Sequence, residues 1–252
     1  MINILLSGAN GRMGKAITQM VAESDKARIF CGVDINTESS GDFPVYADFS
    51  SVQEKPDVII DFSNPANFDA LMDYAEKACV PVVMATTGLK KEQRDRLVQA
   101  SAHIPVFFSA NMSLGVNLLC ELAQKAAAFL GDSFDIEIVE CHHNQKLDAP
   151  SGTALAIADA INEELDNTGH YVYDRHSVRK KREKNEIGIH AVRGGTIVGD
   201  HTVIFAGHNE VIELRHSASS REIFASGAVK AAIFMAGQPV GFYDMKNLIH
   251  AE

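Results

Sequence analysis

"INILLSGANGRMGKAITQMV", residues 2–21, decides the fold. It opens on an apolar run from Ile2 to Leu6 with Asn3 as its single polar residue, the composition of a strand covered on both faces. It closes on Met13, Ile17, Met20 and Val21, apolar positions at helical spacing. Between them lie Gly8, Gly11 and Gly14, a G-x-x-G-x-x-G pattern. The usual dinucleotide fingerprint is G-x-G-x-x-G, so the middle glycine is displaced and Asn10 stands in its place. The physical roles survive the displacement. Gly8 permits the tight turn, Gly11 keeps the backbone accessible, and Gly14 lets the helix lie close to the strand. The open N–H groups of the helix start then face an anion such as a pyrophosphate. The loop Gly8, Ala9, Asn10, Gly11, Arg12 and Met13 is therefore a candidate cofactor cradle.

Working outward, "ARIFCGVD" reads as the second strand and ends on Asp34, 20 residues past Gly14. A carboxylate there accepts hydrogen bonds from the adenosine ribose hydroxyls. It also repels a 2′-phosphate, and the next residue is Ile35 rather than an arginine. NADH is therefore expected to serve at least as well as NADPH, with Arg12 the one loop cation that softens the preference. "DVIIDFS" is a strand, Pro65 to Ala78 a helix, "PVVMATTG" a strand, "LKKEQRDRLVQASA" a helix and "IPVFFSAN" a strand. This alternation predicts a Rossmann-like, doubly wound parallel sheet. Ligands of such sheets lie beyond the carboxyl ends of the strands. That places Phe62, Ser63 and Asn64, then Ala85, Thr86 and Thr87, then Ser109, Ala110, Asn111 and Met112, along the cofactor.

After Asn111 the pattern changes. "LGVNLLCELAQKAAAFLG" predicts one long helix stopped at Gly131, and "FDIEIVECHH" a half-exposed alternating strand. "TALAIADAINEELD" is a second helix, and the basic run "RHSVRKKREKNE" a solvated loop. "IGIHAVRGG", "GDHTVIFAG" and "EVIELRHSA" are alternating strands of an antiparallel or mixed sheet. The Ala-rich helix "SREIFASGAVKAAIFMAGQP" returns to the first domain. The expected organisation is an α/β dinucleotide domain from residues 1–112 and 219–252, and an α+β domain from 113–218.

Composition narrows the function. The 252 residues suit two small domains. With 23 basic and 33 acidic side chains the net charge is −10, which disfavours nucleic acid and anionic membranes as partners. No apolar run reaches the length of a membrane span, and the first residues read as a strand rather than a signal peptide. Cys31, Cys79, Cys120 and Cys141 are scattered without a CxxC pair, as for reduced thiols in the cytoplasm.

A second chemical stretch is "ECHHNQKLDAPSGTA", residues 140–154. It places His142 and His143 at a strand end, with Lys146 and Asp148 next and a Ser151-Gly152-Thr153 helix start behind them. That helix start offers N–H donors and hydroxyls to a carboxylate. Lys146 adds a positive charge and a proton, and a histidine exchanges protons near neutral pH. Adjacent strand residues point to opposite faces, and no H-E-x-x-H spacing is present, so no metal is expected. The rival readings are a metal hydrolase built on the histidine pair and a non-catalytic NADH-sensing Rossmann protein.

The run from Glu140 to Ala154 resembles the E-x-H-H-x-x-K-x-D-A-P-S-G-T-A signature of 4-hydroxy-tetrahydrodipicolinate reductases, also called dihydrodipicolinate reductases. "SGANGRMG", "DFSNP", "ATTG", "SANMSLGVN", "VRGGTIVGDHTV" and "HSASSREIFASGAVKAA" resemble segments of the same family in the same order. The resemblance implies reduction of a cyclic imine dicarboxylate by NADH or NADPH, in lysine and diaminopimelate biosynthesis. It implies that His142 is a proton donor or acceptor and Lys146 the proton donor, with His143, Gly152 and Thr153 on the substrate. It also implies a homotetramer built through the second-domain sheet. Domain closure is expected about hinges near Asn111–Gly115 and Ser217–Ser220.

Overall fold

The computed structural model describes residues 1–39 and 41–251. The chain divides into two compact units, Met1–Leu114 with Glu222–Glu252, and Gly115–Arg221. In chain order the elements begin with β1 (Ile2–Ser7), α1 (Arg12–Ala22), β2 (Ala27–Val33), β3 (Val45–Tyr46), β4 (Val58–Asp61) and α2 (Phe68–Ala78). They continue with β5 (Val82–Met84), α3 (Lys91–Ala100), β6 (Pro105–Phe108), α4 (Leu114–Leu130), β7 (Asp135–His142) and α5 (Gly152–Glu164). The rest are β8 (His170–Val172), β9 (Glu186–Arg193), β10 (Gly199–Ala206), β11 (Val211–Ala218), α6 (Glu222–Met235), β12 (Gly241–Tyr243) and α7 (Met245–His250).

The first unit is built on a parallel sheet in the order β12-β6-β5-β4-β1-β2-β3. From β3 to β6 this is the 3-2-1-4-5-6 order of dinucleotide-binding sheets, and its direction of winding reverses between β1 and β4. Strand alternation sorts the core. Ile4 and Leu6 pack with Ile17 and Val21 of α1 and the alanines of α6, whereas Leu5 packs with Phe68, Leu71 and Leu97 from α2 and α3. Each Leu or Ile so removed from water contributes about 1.5–3 kcal/mol. The small residues of α6 permit close packing: a Cβ on Gly227 would stand 1.7 Å from the Met112 carbonyl oxygen.

The second unit is a mixed sheet in the order β11-β10-β7-β9-β8. β10 runs antiparallel to β7 and β11, while β7, β9 and β8 are parallel. Leu119 and Ala123 of α4, with Ile157 and Ile161 of α5, cover one face over Ile136, Ile138, Ile189 and Phe205. The buried set of β7 is Ile136, Ile138, Glu140 and His142. The period of 2 that buries the isoleucines thus also carries a carboxylate and an imidazole inside.

Several elements were not foreseen from sequence. β3, β8 and β12 are two or three residues long, and α7 is six; none is long enough to show a period. The basic run is a loop, but it is anchored. Arg175 reaches Glu137 at 2.9 Å and Glu186 at 2.6 Å, and Arg182 reaches Asp135 and Glu137 at 3.0 Å each. Among the described residues, no helix is long and apolar enough to cross a membrane.

Candidate active site

In the first unit, the strand ends assemble as the topology requires. Gly8 has φ +80°, and its N–H donates to the Val33 carbonyl at 2.9 Å. A Cβ there would stand 2.6 Å from the Phe62 carbonyl oxygen, and one on Gly14 would stand 2.3 Å from that of Gly8. Both positions need glycine for steric reasons alone. Gly11 caps α1 with no side-chain hydrogen bond, and the first turn carries no acidic residue. The N–H groups of α1 are thus open to an anion, with Arg12 exposed beside them.

Asp34 is tied to this loop. Its carboxylate accepts from the Asn10 N–H at 3.0 Å and from the Asn36 N–H at 3.1 Å. The Asn10 side-chain amide donates to the carbonyls of Asn36 and Glu38, at 2.6 and 2.7 Å. Asn10, the residue in place of the middle glycine, therefore clamps the segment after Asp34 to the glycine loop. Of the other expected cofactor residues, Ala9, Ala85, Thr86 and Met112 are buried. They shape the floor, whereas Thr87 and Ala110 are exposed and Met13, Ser109 and Asn111 are half-buried. The Thr86 hydroxyl accepts from the Ser63 N–H at 2.9 Å. Burial pushes the Asp61 carboxyl below this floor upward, against the opposing hydroxyls of Ser63, Ser7 and Thr86.

In the second unit, β7 delivers Glu140 and His142 to one side. His142 Nδ1 lies 2.5 Å from Glu140 Oε2. Arg193 donates to both oxygens of Glu140, at 2.7 and 2.8 Å, and the Ser151 N–H donates to Oε1 at 3.0 Å. Burial alone would raise the Glu140 carboxyl; the bonds from Arg193, His142 and Ser151 bring it below its ordinary value. Arg193 also donates to the Asp148 carbonyl at 2.8 Å. Asp148 holds the Lys146 ammonium at 2.9 Å, and this contact lowers its carboxyl.

The α5 start is a cap. Ser151 Oγ accepts from the Ala154 N–H at 3.1 Å and lies 3.2 Å from His201 Nε2. Burial, then the nearby His142, pushes His201 down to about 4, so His201 is neutral at ordinary pH. Gly152 is exposed, and Thr153 and His143 are half-buried. Glu140 fell within the quoted signature without a role, and Arg193 and His201 were missed. Two-residue spacing from His142 is a local signal for Glu140. Arg193 and His201 arrive through sheet register alone: β9 sets Arg193 opposite His142, and β10 sets His201 opposite Glu140.

Among the described residues, the side chains grouped as metal donors are His170, Glu183 and Glu186, a cluster that excludes the histidine pair. Arg175 and Lys180 already pair with its carboxylates.

A 3-2-1-4-5-6 sheet with a glycine turn at its winding reversal is the frame of Rossmann-type dinucleotide-binding proteins, and here one chain carries it together with a lysine–histidine cluster. Residues 2–112 match the family model described as "Dihydrodipicolinate reductase, N-terminus" and residues 115–249 match "Dihydrodipicolinate reductase, C-terminus". The chain belongs to the dihydrodipicolinate reductase family. It is 53% identical over 249 residues to the 4-hydroxy-tetrahydrodipicolinate reductase of Caldanaerobacter subterraneus subsp. tengcongensis, covering 99% of this chain and 98% of the relative. It is 47% identical to that of Clostridium tetani, covering 100% and 98%. A solved dipicolinate-bound dihydrodipicolinate reductase from Paenisporosarcina sp. TG-14 superposes with TM-score 0.83 at 27% identity, covering 98% of this chain and 99% of that one. These relatives make the chain an enzyme rather than a non-catalytic sensor.

Proposed function

We propose that this enzyme reduces 4-hydroxy-tetrahydrodipicolinate to tetrahydrodipicolinate with loss of water, in lysine and diaminopimelate biosynthesis. The observation that carries the reading is the capped α5 start at Ser151, beside Lys146 and a buried His142. A substrate carboxylate sits at the α5 start beside exposed Gly152 and half-buried Thr153, with His143 alongside. The dipicolinate bound by the Paenisporosarcina relative is a dicarboxylate of the same kind. The bound nicotinamide supplies the hydride. The electrons displaced from the conjugated imine move toward the ring nitrogen, and Lys146 supplies the proton that completes the two-electron reduction. His142 relays protons in the same pocket.

The residues of the first unit fit the cofactor: open N–H groups, a glycine turn and a carboxylate at the ribose position. Asp34 and Ile35 support NADH serving at least as well as NADPH. The family resemblance supports a cytoplasmic homotetramer built through the β7–β11 sheet, where Val192, Val211 and Ile212 are exposed. The test is NADH oxidation followed at its absorbance band, with substrate generated in place from pyruvate and aspartate semialdehyde. Oxidation that requires both precursors supports the reading; none with either cofactor overturns it.

A further inference from the structure

Glu140 is fully buried, yet it is ionised and receives four hydrogen bonds. Arg193 gives it a two-pronged grip, the strong geometry for a guanidinium and a carboxylate. A buried ion pair of this kind adds little net stability compared with apolar packing, so its presence calls for another use. Its partners identify that use. One oxygen faces His142 Nδ1, the other takes the N–H of Ser151 at the start of α5, and Arg193 reaches on to the backbone of Asp148 beside Lys146. A carboxylate has acceptors only, so Nδ1 must carry the hydrogen of this contact. Nε2 then is the nitrogen free to take or give a proton. It lies 3.1 Å from where a Cβ on Gly199 would stand, so any side chain at 199 would crowd it.

We propose that Glu140 and Arg193 are positioning residues. Together they fix the Nδ1–H form of His142 and hold the Lys146 loop and the carboxylate-binding turn of α5 in one register. The proposal rests on the proton role given to His142 above. A carboxylate behind a functional histidine sets its tautomer and orientation, and removal of such a partner costs roughly 10–100-fold in activity.

The test uses Glu140→Gln in the full-length enzyme. Expected are unchanged NADH binding by fluorescence, a KM near that of the parent, and a kcat lower by roughly 10–100-fold. The ¹⁵N resonances of the His142 ring, assigned by their loss in His142→Gln, should leave the Nδ1–H pattern. Arg193→Lys keeps a positive charge beside buried Glu140 and leaves its carboxylate on Nδ1 but cannot grip both oxygens; it should show a smaller fall in kcat with the Nδ1–H pattern retained. Retention of the Nδ1–H pattern in Glu140→Gln overturns the proposal, as does a kcat within about twofold of the parent in either variant. If His142→Gln abolishes turnover while Glu140→Gln leaves it intact, the positioning role alone fails. If both leave it intact, the proton role of His142 fails as well.

Discussion

The two halves of this enzyme build their sites from different materials. In the first unit the candidate site is mainly backbone: a glycine with φ +80°, a second glycine whose Cβ would strike a carbonyl, and a helix start with no side-chain cap. In the second unit it is side chain: a buried carboxylate, a guanidinium, two histidines and a lysine wired through sheet register. A backbone site tolerates most side-chain changes but not the addition of a Cβ at the wrong place. A side-chain site fails wherever one group is truncated. The difference has a chemical reason. Holding a pyrophosphate requires donors in a fixed arc, which main-chain N–H groups supply at no cost in rotamer entropy. Moving protons requires groups that titrate, which the main chain lacks.

The sharpest way to break the contrast is Lys146→Ala. Removal of the proposed acid should lower kcat by roughly 10²–10⁴-fold, while NADH binding, measured by fluorescence titration, stays as it was. If turnover survives, the proton has another source and the second site is not wired as described. A second large effect is on stability. His201 is pushed down to about 4 when folded, from 6.5 for an ordinary histidine. The unfolded chain therefore binds the extra proton first as pH falls. Stability from this group is full above about 6.5 and is lost progressively between there and about 4, to the order of 3 kcal/mol. Urea unfolding of the parent and of His201→Gln at a series of pH values should show the acid slope reduced in the variant; equal slopes would mean that His201 is solvated.

How much of each site could be read from sequence follows from the same contrast. The glycine turn at Gly8 and Gly14 was legible because it is local: strand, turn and helix are consecutive, and their spacing is dictated by backbone geometry. His142, Lys146 and Ser151 were legible as a cluster within fifteen residues. Arg193 and His201 were not. They lie 53 residues from Glu140 and 50 from Ser151, and only strand pairing brings them in. The short strands β3, β8 and β12 were invisible for a related reason: their pairing is decided by the sheet they join, not by a period of their own.

Smaller effects refine the comparison within the first unit. Replacing Asp34 with serine removes a charged acceptor expected at the ribose, worth about 1.5–3 kcal/mol for such a bond. NADH affinity should fall by roughly 10–100-fold, and the ratio of kcat/KM values should move toward NADPH as repulsion of a 2′-phosphate disappears. An unchanged ratio would remove Asp34 from cofactor selection.

Asn10→Ala tests whether the first site is backbone throughout. Its amide reaches across to another segment, donating to the carbonyls of Asn36 and Glu38. Both carbonyls belong to exposed backbone, so each bond is worth about 0.5–1.5 kcal/mol rather than the larger cost of a buried orphan. With alanine, the Asn10 N–H still reaches Asp34 and the glycine turn is untouched, so the phosphate cradle should survive. What is lost is the pre-set position of residues 36–38 beside Asp34, the proposed ribose acceptor, which cofactor binding must then order afresh. The expected result is a rise in the NADH Kd of roughly 2–10-fold with kcat unchanged. A fall in kcat would instead show that the clamp reaches beyond binding into the chemical step, and that the two halves are less different in kind than their construction suggests.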